Sequence, residues 1–447
     1  MWYLLGDETT HDEGPNMQQI PKHEQHLYLQ LCATMGRSYC LHTPEAIGTA
    51  LRRGLNTVDH PHRGGPFYLL MPMNTQAQTV HAFNLDQLPT GAPPSLGAAA
   101  DGGAFGAAAQ ALQSAERVVV RLGGGARKAG PQILSLLDRV DGLALVSPIV
   151  TGLIPDNHPR NMSVGGSKGS ISGNWAMDEA DLLIAIGTRS VCQSDSSRTG
   201  YPKVQHVINI NTDLEAATHY AKTTALLGDA GPTIEKFLEY LDAHGVANAE
   251  SESAWMQEGR RQRQAWNDFK TQRYQTPCLH DAVWQKSVLT QPAAIKIATD
   301  WARERDAVCF FDAGDVQANG FQVAEDDRLG RTFTDTGASY MGFAVSALLA
   351  TSMASEPFYG LAITGDGSFT MNPQILIDGV QHSATGCILL LDNRRMGAIS
   401  GLQDAQYGAE HGTSDQVVVD YPAWAESIRG VGVFRGGARR RTLYKRR

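Results

Sequence analysis

The chain has 447 residues, of which 42% are apolar and 19% charged, and its formal net charge is −8. This length supports two or three domains with cores of their own, and the composition is ordinary for a globular protein. The acidic balance argues against a nucleic-acid-binding protein, which usually presents a basic face.

The sequence contains neither a membrane segment nor a secretion signal that we can identify. The longest mostly apolar stretch, Phe343 to Ala354, is too short to cross a bilayer, so we predict no membrane association. The first residues lack a basic signal-peptide region. The six cysteines form no CxxC pair. We therefore expect a cytoplasmic protein with reduced thiols.

The first region, residues 1–92, combines strand and helix patterns. The run Trp2-Tyr3-Leu4-Leu5 predicts a buried strand that ends in a turn. A helix is predicted from Thr43 to Leu55, and a strand from Phe67 to Met71. A domain rarely opens on a bare buried strand, so we expect sequence to be missing upstream. Residues 91–109 are rich in Gly, Ala and Pro, which predicts a linker.

The second region, residues 93–265, alternates strands with helices. A predicted strand at Val118 to Val120 ends in Gly123-Gly124-Gly125-Ala126, a turn suited to an anion, and a helix follows at 131–140. Further strands are predicted at 181–186 and 204–210. Such alternation indicates a doubly wound parallel sheet. The charged residues 250–274 predict a helical linker.

The third region, residues 266–447, repeats this alternation. We predict helices at 290–303 and 338–354, and strands at 307–311 and 430–434. The last 13 residues, 435–447, hold 7 of the 38 basic residues. A basic tail can bind nucleic acid or lipid, but we interpret this one as an atypical or artefactual end. The predicted fold class is therefore α/β, with three doubly wound parallel-sheet regions, the first one incomplete.

The third region delivers polar residues to the ends of two apolar strands. Leu361 to Thr364 leads into Gly365-Asp366-Gly367, and Cys387 to Leu391 leads into Asp392-Asn393, with 24 residues between the triplet and the pair. An acid and an amide next to a glycine turn suit a divalent ion that holds a diphosphate.

Magnesium prefers about six hard oxygen ligands and often shares them with phosphates. Asp366 offers a carboxylate, Asn393 an amide oxygen, and Arg395 a backbone carbonyl. Gly367 allows the backbone to approach a phosphate closely, and a helix after it would direct N–H groups at the same anion. The sequence therefore predicts a magnesium-diphosphate site.

This segment resembles the cofactor-binding signature of thiamine-diphosphate-dependent enzymes. Asp392 stands where that family usually has the first of two asparagines, but the metal ligand is the second one. Residues 392–403 look like the corresponding stretch of acetolactate synthases and of the trihydroxycyclohexanedione hydrolase of inositol breakdown. The cofactors implied are thiamine diphosphate and Mg²⁺.

The resemblance also implies roles for residues further upstream. Met341 would be the apolar wedge that bends the cofactor, the Ser339 carbonyl would accept a hydrogen bond from the aminopyrimidine, and Asp315-Val316-Gln317 would lie near the diphosphate. Ordinary core packing is the alternative for Met341. The implied cofactor-binding residues are Ser339, Met341, Gly365, Asp366, Gly367, Ser368, Asn393, Met396 and Gly397. The implied metal ligands are Asp366, Asn393 and Arg395, and no catalytic residue is assigned.

By the same resemblance, residues 1–92 are the C-terminal part of a pyrimidine-binding domain, 93–265 a central Rossmann-like domain, and 266–447 the diphosphate-binding domain. The central domain of acetolactate synthases binds FAD. The departure of residues 187–193 from that pattern argues against FAD here. Family members normally share each site between two subunits, which implies a homodimer or homotetramer acting on a small-molecule substrate.

Three functions are compatible with the sequence. The leading one is a lyase or transferase of 2-oxoacids, similar to acetolactate synthase, and the second is ring-opening hydrolysis of a cyclic dione. By the resemblance, the glutamate that activates the cofactor would lie before Met1. Together with the atypical basic end, this leads us to expect a chain truncated at both ends. The third hypothesis is therefore a non-catalytic chain that still binds the cofactor.

Overall fold

The computed structural model describes residues 1–11, 26–80, 84–90, 96–191, 200–247, 253–281, 285–335 and 337–434. The chain divides into two units, residues 1–97 and 98–447. This division does not separate the second and third predicted domains, so their boundary stays a prediction. No helix in the described ranges is long and apolar enough to cross a membrane.

The first unit is a three-stranded parallel sheet with helices. Its strands are β1 (Trp2–Asp7), β2 (Arg37–Cys40) and β3 (Phe67–Pro72), and its α-helices are α1 (Leu27–Met35), α2 (Ile47–Val58) and α3 (Met73–Gln76). The strand order is β1-β3-β2, with β3 in the middle. A short 3₁₀ turn, Pro44–Ala46, leads into α2. The helix and the strand predicted at 43–55 and 67–71 are both confirmed.

The prediction that β1 is buried is wrong. The strand forms, but Leu4 is 62% exposed, because β1 pairs only with β3 and lies at the edge of this sheet. Trp2 is the better-packed side chain of β1, with its ring 5.2 Å from that of Phe67. A run of four apolar residues predicts a strand, but it does not show how many neighbours that strand has.

The second unit begins with a six-stranded sheet. Its strands are β4 (Val118–Leu122), β5 (Leu143–Val146), β6 (Asn161–Val164), β7 (Leu182–Ile186), β8 (His206–Asn211) and β9 (Thr223–Leu227). The helices are α4 (Gly102–Gln113), α5 (Gly130–Arg139), α6 (Ile171–Glu179), α7 (Leu214–Ala217), α8 (Ala230–Ala243) and α9 (Ala254–Gln275). All strands are parallel, in the order β6-β5-β4-β7-β8-β9. Val118 and Val120 pack into one core and Val119 into another, so both faces of β4 are covered, as in a doubly wound sheet.

Two predicted linkers turn out to be packed helices. Residues 102–113 form α4, whose first N–H groups are capped by the Asp101 carboxylate and whose Phe105 is buried. Small residues obscured this helix in the sequence, although they allow it to pack closely. The helix predicted at 250–274 is present as α9, but it packs on the sheet, and the Trp255 indole donates to the Val118 carbonyl (3.0 Å).

The rest of the second unit contains the sheet that carries the candidate site. This part of the chain has six strands, which are β10 (Cys278–Asp281), β11 (Lys286–Leu289), β12 (Val308–Phe311), β13 (Thr332–Thr334), β14 (Gly360–Gly365) and β15 (Gly386–Leu391). Its helices are α10 (Gln291–Glu304), α11 (Asp315–Val323), α12 (Phe343–Ala347), α13 (Ala350–Met353), α14 (Asp366–Phe369), α15 (Ile375–Gln381), α16 (Gly397–Tyr407) and α17 (Tyr421–Glu426). Strands β10 and β11 form an antiparallel pair. The other four are parallel, in the order β13-β12-β14-β15, and the α/β fold class is thereby confirmed.

Two further predictions in this part need correction. The helix predicted at 338–354 is instead the two short helices α12 and α13, and the left-handed Gly342 (φ 88°) immediately precedes the first. The strand predicted at 430–434 is absent. Val431 packs against the core without joining the sheet. The basic residues 435–447 lie outside the described ranges.

Candidate functional site

Neighbouring strands bring the predicted site residues together. Strands β14 and β15 run parallel with Gly365 opposite Leu391, so Asp366 and Asp392 follow at the same edge of the sheet. The backbone N–H of Arg394 donates to Asp366 Oδ2 (2.8 Å). This hydrogen bond joins the loop after β15 to the turn after β14, as the sequence analysis predicted for the two motifs.

Asp366 is a buried carboxylate, only 4% exposed. Burial raises its pKa above the ordinary value, and the nearby Asp392 carboxylate adds to the rise. Backbone N–H groups of Gly367 and Arg394 offset the rise in part. Because burial disfavours the ionised form, a divalent cation beside Asp366 would relieve an electrostatic cost that the protein alone leaves standing.

The other two predicted metal ligands lie in the loop after β15. Asn393 Oδ1 accepts from the Arg395 N–H (3.0 Å), and the Arg395 carbonyl accepts from the Gly397 N–H (2.9 Å). Each oxygen retains a second lone pair for a metal. No three His, Cys, Asp or Glu side chains are grouped to hold a metal anywhere in the described part of the chain. The donor set is thus one carboxylate, one amide and one carbonyl, which suits Mg²⁺ that keeps waters and phosphate oxygens.

The side chain of Arg395 fastens this loop to the segment after α16. Its Nε donates to Ser400 Oγ (2.9 Å), and its guanidinium forms an ion pair with Glu410. The Ser400 hydroxyl in turn donates to Thr413 Oγ1 (2.7 Å). Sequence reasoning assigned only the backbone of Arg395, because its ion-pair partner Glu410 lies 15 residues away and no local pattern reveals it.

Two glycines of the site have opposite surroundings: Gly397 is crowded by side chains, and Gly365 faces open space. A Cβ atom at Gly397 would lie 2.7 Å from Asp315 Oδ2 and 3.3 Å from Asn393 Nδ2, so only glycine fits there without displacing these side chains. A Cβ at Gly365 would meet nothing within 4 Å. Asp315, named from the sequence only as lying near a diphosphate, therefore borders the same loop as Asn393.

Met341 lies next to the glycine turn. Its Cε is 3.4 Å from the position that a Cβ of Gly367 would occupy, and the side chain is 38% exposed. Ordinary core packing, the alternative considered above, does not describe so exposed a methionine. Ser339 adopts a left-handed conformation (φ 56°), and its hydroxyl donates to Oε1 of the buried Gln317 (3.2 Å).

Two other predicted cofactor-binding residues have less distinctive positions. Ser368 is buried within α14, and Met396 is half-exposed at the start of α16, where its N–H donates to the Thr413 carbonyl (2.8 Å). The helix expected after Gly367 is only the four-residue α14. The anion-binding N-terminus predicted there is thus reduced to a single short turn.

A buried acid to which the sequence analysis gave no role is Asp312, directly after β12. Its carboxylate is fully buried and accepts from the N–H groups of Ala313 (3.0 Å) and Gly342 (2.8 Å) and from Thr364 Oγ1 (2.9 Å). Burial raises its pKa, and these donors offset the rise in part. Two of these partners are 30 and 52 residues away, so the sequence shows only an acid after a strand.

The glycine turn of the six-stranded sheet differs from this arrangement. The N–H groups of Gly123 and Gly125 donate to the carbonyls of Ile186 and Gly187, each at 2.9 Å. These groups are therefore used by the protein itself, and the anion site expected at this turn loses two of its donors. Cys192 and Gln193, part of the departure that argued against FAD, lie outside the described residues, and the absence of FAD stays a prediction.

Comparison with known proteins agrees with this geometry. Residues 105–237 match the family model "Thiamine pyrophosphate enzyme, central domain", and residues 312–443 match "Thiamine pyrophosphate enzyme, C-terminal TPP binding domain". The second match contains β13, β14, β15 and every predicted site residue.

Curated relatives are similar over most of this chain. Acetolactate synthase isozyme 3 large subunit of Escherichia coli is 28% identical over 73% of the chain and 55% of the relative. The 3D-(3,5/4)-trihydroxycyclohexane-1,2-dione hydrolase of Lacticaseibacillus casei is 25% identical over 89% of the chain and 64% of the relative. The matches thus span between about half and just under two thirds of these relatives. With two domain models of one family matched in order, the chain belongs to the thiamine-diphosphate-dependent enzymes.

Proposed function

We propose that the chain binds thiamine diphosphate through Mg²⁺ held by Asp366, Asn393 and the Arg395 carbonyl. The observation that carries this proposal is the hydrogen bond from the Arg394 N–H to Asp366 Oδ2, which brings the two loops to one sheet edge. The open space over Gly365 leaves room for a diphosphate beside them.

Each neighbouring residue has a binding or positioning task in this proposal. Asp366 supplies the anionic ligand, and the Arg395 side chain holds its loop through Ser400 and Glu410. Met341 presents an apolar surface beside Gly367, against which the cofactor would bend. When bound, the cofactor supplies an electron sink for cleaving or forming a bond at a carbonyl carbon.

For the reaction, we propose a lyase or transferase acting on 2-oxoacids, as the name acetolactate synthase suggests for the E. coli relative. A ring-opening hydrolase of a cyclic dione is the second candidate. One observation favours it: the similarity to the trihydroxycyclohexanedione hydrolase extends over 89% of this chain, against 73% for the synthase.

We also propose that two copies of the chain associate at this site. Apolar side chains around it are exposed, including Tyr340, Met396 and Leu402. Exposed apolar groups gathered at one edge favour burial against a partner. Sedimentation equilibrium at micromolar concentration with cofactor and Mg²⁺ should give a dimer or tetramer, and a monomer under these conditions would contradict association.

Cofactor binding is tested by thermal shift. Thiamine diphosphate with Mg²⁺ should raise the melting temperature of the native chain, and EDTA should abolish the rise. Asp366→Ala removes the anionic ligand and should abolish it too. Asp404→Ala, an exposed position on α16, is the matched control and should respond like the native chain. A shift retained in Asp366→Ala would refute the proposed metal site.

The reaction is tested by assaying pyruvate and a cyclic 1,2-dione side by side with the loaded protein. Release of CO₂ from pyruvate supports the 2-oxoacid reaction, and an open-chain acid from the dione supports the hydrolase. Cofactor binding with turnover of neither substrate would contradict both proposed reactions while leaving the cofactor site intact.

A further inference from the structure

We propose that Asp312 is the positioning residue that sets Met341 against the glycine turn of the cofactor site. The proposal rests on the proposed cofactor function of that site. It assigns no contact between Asp312 and the cofactor, because the carboxylate is fully buried behind the turn.

Asp312 joins three separate segments of the sheet edge. It directly follows β12, and its Oδ1 accepts from the N–H of Gly342, the residue after Met341 (2.8 Å). Its Oδ2 accepts from the hydroxyl of Thr364, the residue before Gly365 (2.9 Å). One carboxylate thus fixes the distance between the turn that carries Met341 and the strand that carries the Gly365-Asp366-Gly367 motif.

The turn around Met341 needs such an anchor. Ser339 (φ 56°) and Gly342 (φ 88°) both lie in the left-handed region, so this segment is neither helix nor strand. Its N-terminal side donates hydrogen bonds to Asp335 in the same loop and to Gln317 of α11. On its C-terminal side the Gly342 carbonyl accepts from Ser346 of α12. Asp312 links this turn to β14 through its hydrogen bonds to Gly342 and Thr364. Because a charged acceptor makes roughly twice as strong a hydrogen bond as a neutral one, a carboxylate suits this position.

A neutral amide can replace most of this arrangement. In Asp312→Asn the amide oxygen can still accept from Gly342, and the amide N–H₂ can donate to the Thr364 hydroxyl. That hydroxyl already lies 3.2 Å from the Gly365 carbonyl and can donate to it instead. In Asp312→Ala no acceptor remains, and the Gly342 N–H loses its partner. Comparison of these two variants therefore separates loss of the hydrogen bond to Gly342 from loss of the negative charge.

The first measurement is the affinity for thiamine diphosphate at saturating Mg²⁺, by calorimetry. Asp312→Ala should weaken binding on the order of 10-fold, as is typical when a supporting hydrogen bond behind a ligand site is removed. Asp312→Asn should restore most of the affinity. Thr364→Val, which breaks only the tie to β14, should weaken binding by a smaller factor.

The matched control is Asp326→Ala. Asp326 is another buried carboxylate in this part of the chain, and it accepts from the hydroxyl of Thr332 on β13 (3.0 Å). Its removal should lower the melting temperature without changing cofactor affinity. Equal affinity losses in Asp326→Ala and Asp312→Ala would overturn the proposal, since both changes would then act through general destabilisation. If Asp312→Ala does not fold, the contrast between Thr364→Val and Asp326→Ala decides, and unchanged affinity in Thr364→Val overturns it.

The second measurement is amide hydrogen exchange of residues 339–344 without cofactor. Exchange of the Gly342 amide should accelerate in Asp312→Ala and stay slow in Asp312→Asn and Asp326→Ala. Unchanged protection in a folded Asp312→Ala would refute the anchor. A native chain that binds no thiamine diphosphate would refute the proposed function. The exchange rate of the Gly342 amide would still show whether Asp312 stabilises the turn around Met341.

Discussion

Two parallel sheets in the second unit each end in glycine turns, yet only one of these edges offers a site. At the six-stranded sheet, Gly123 and Gly125 press against Gly187, and a Cβ at Gly123 would lie 2.4 Å from the Gly187 carbonyl oxygen. At the four-stranded sheet, a Cβ at Gly365 would meet nothing within 4 Å. The first edge is closed by backbone, and the second is open.

The comparison shows that glycine serves opposite purposes at the two edges. At the closed edge it lets the turn after β4 donate hydrogen bonds to the end of β7 and the turn after it, which uses the N–H groups that an anion would need. At the open edge it leaves space beside a buried carboxylate, Asp366. A glycine-rich turn after a strand therefore predicts a ligand site only when neighbouring backbone does not fill the space beside it.

The largest expected effect tests this contrast in folding stability. In Gly187→Ala the new Cβ would lie 2.5 Å from the Gly125 carbonyl carbon, at a left-handed φ of 57°. We expect a loss of about 3 kcal/mol of unfolding free energy, from overpacking and backbone strain together. Gly365→Ala, with φ −85° and open space, should cost less than about 1 kcal/mol. Urea denaturation of both variants measures the difference.

The same pair should reverse its order in cofactor binding. Gly365→Ala places a methyl group where the diphosphate is proposed to lie and should weaken thiamine diphosphate binding by roughly 10-fold or more. Gly187→Ala, measured at a temperature where it is folded, should bind like the native chain. Comparable affinity losses in both variants would break the distinction between a closed and an open edge.

A smaller effect is expected within the open edge itself, at Gly397. A Cβ there would displace Asp315 or Asn393, and since misplacing site residues weakens binding, we expect a loss of roughly 10-fold in cofactor affinity. Gly401→Ala lies in the same helix with nothing within 4 Å. It should raise the unfolding free energy by about 0.5–1 kcal/mol and leave affinity unchanged. Calorimetry that shows the same affinity for both variants would remove Gly397 from the site.

The sequence predicted the open edge well because its information is local. An apolar run followed by Gly365-Asp366-Gly367 places the acid at a strand end, and parallel pairing then brings Asn393 beside it. The same reasoning placed β4, β7, β8 and α5. The resemblance added Ser339 and Met341, whose roles in holding the cofactor remain proposals.

The features that the sequence missed depend on distant partners. Asp312 is held in place by hydrogen bonds to Gly342 and Thr364, and the Arg395 side chain by its ion pair with Glu410. Exposure of β1 depends on the number of strands beside it. The closure of the Gly123 turn depends on carbonyls of β7 and the turn after it. None of these contacts is encoded by spacing along the chain.

The smallest expected effect concerns the buried carboxylates of the part that carries the open edge. Burial raises the pKa values of Asp312, Asp326 and Asp366, so each holds a proton more tightly in the folded than in the unfolded state. The folded state therefore binds more protons above the ordinary aspartate pKa of about 3.9, and stability falls as pH rises from there through the raised values.

Asp326 is the best position for testing this burial effect alone, because it precedes β13 in the chain and is not one of the proposed ligands. In Asp326→Asn the amide oxygen can still accept from Thr332, but the ionisation is gone. We expect a higher unfolding free energy than the native chain at pH 7, and convergence of the two as pH falls toward 4. Urea denaturation across this range, without cofactor, measures both. A variant less stable than the native chain at pH 7 would mean that ionised Asp326 makes contacts that outweigh its burial. The fall of stability with rising pH would then have to be assigned to Asp312 and Asp366 alone.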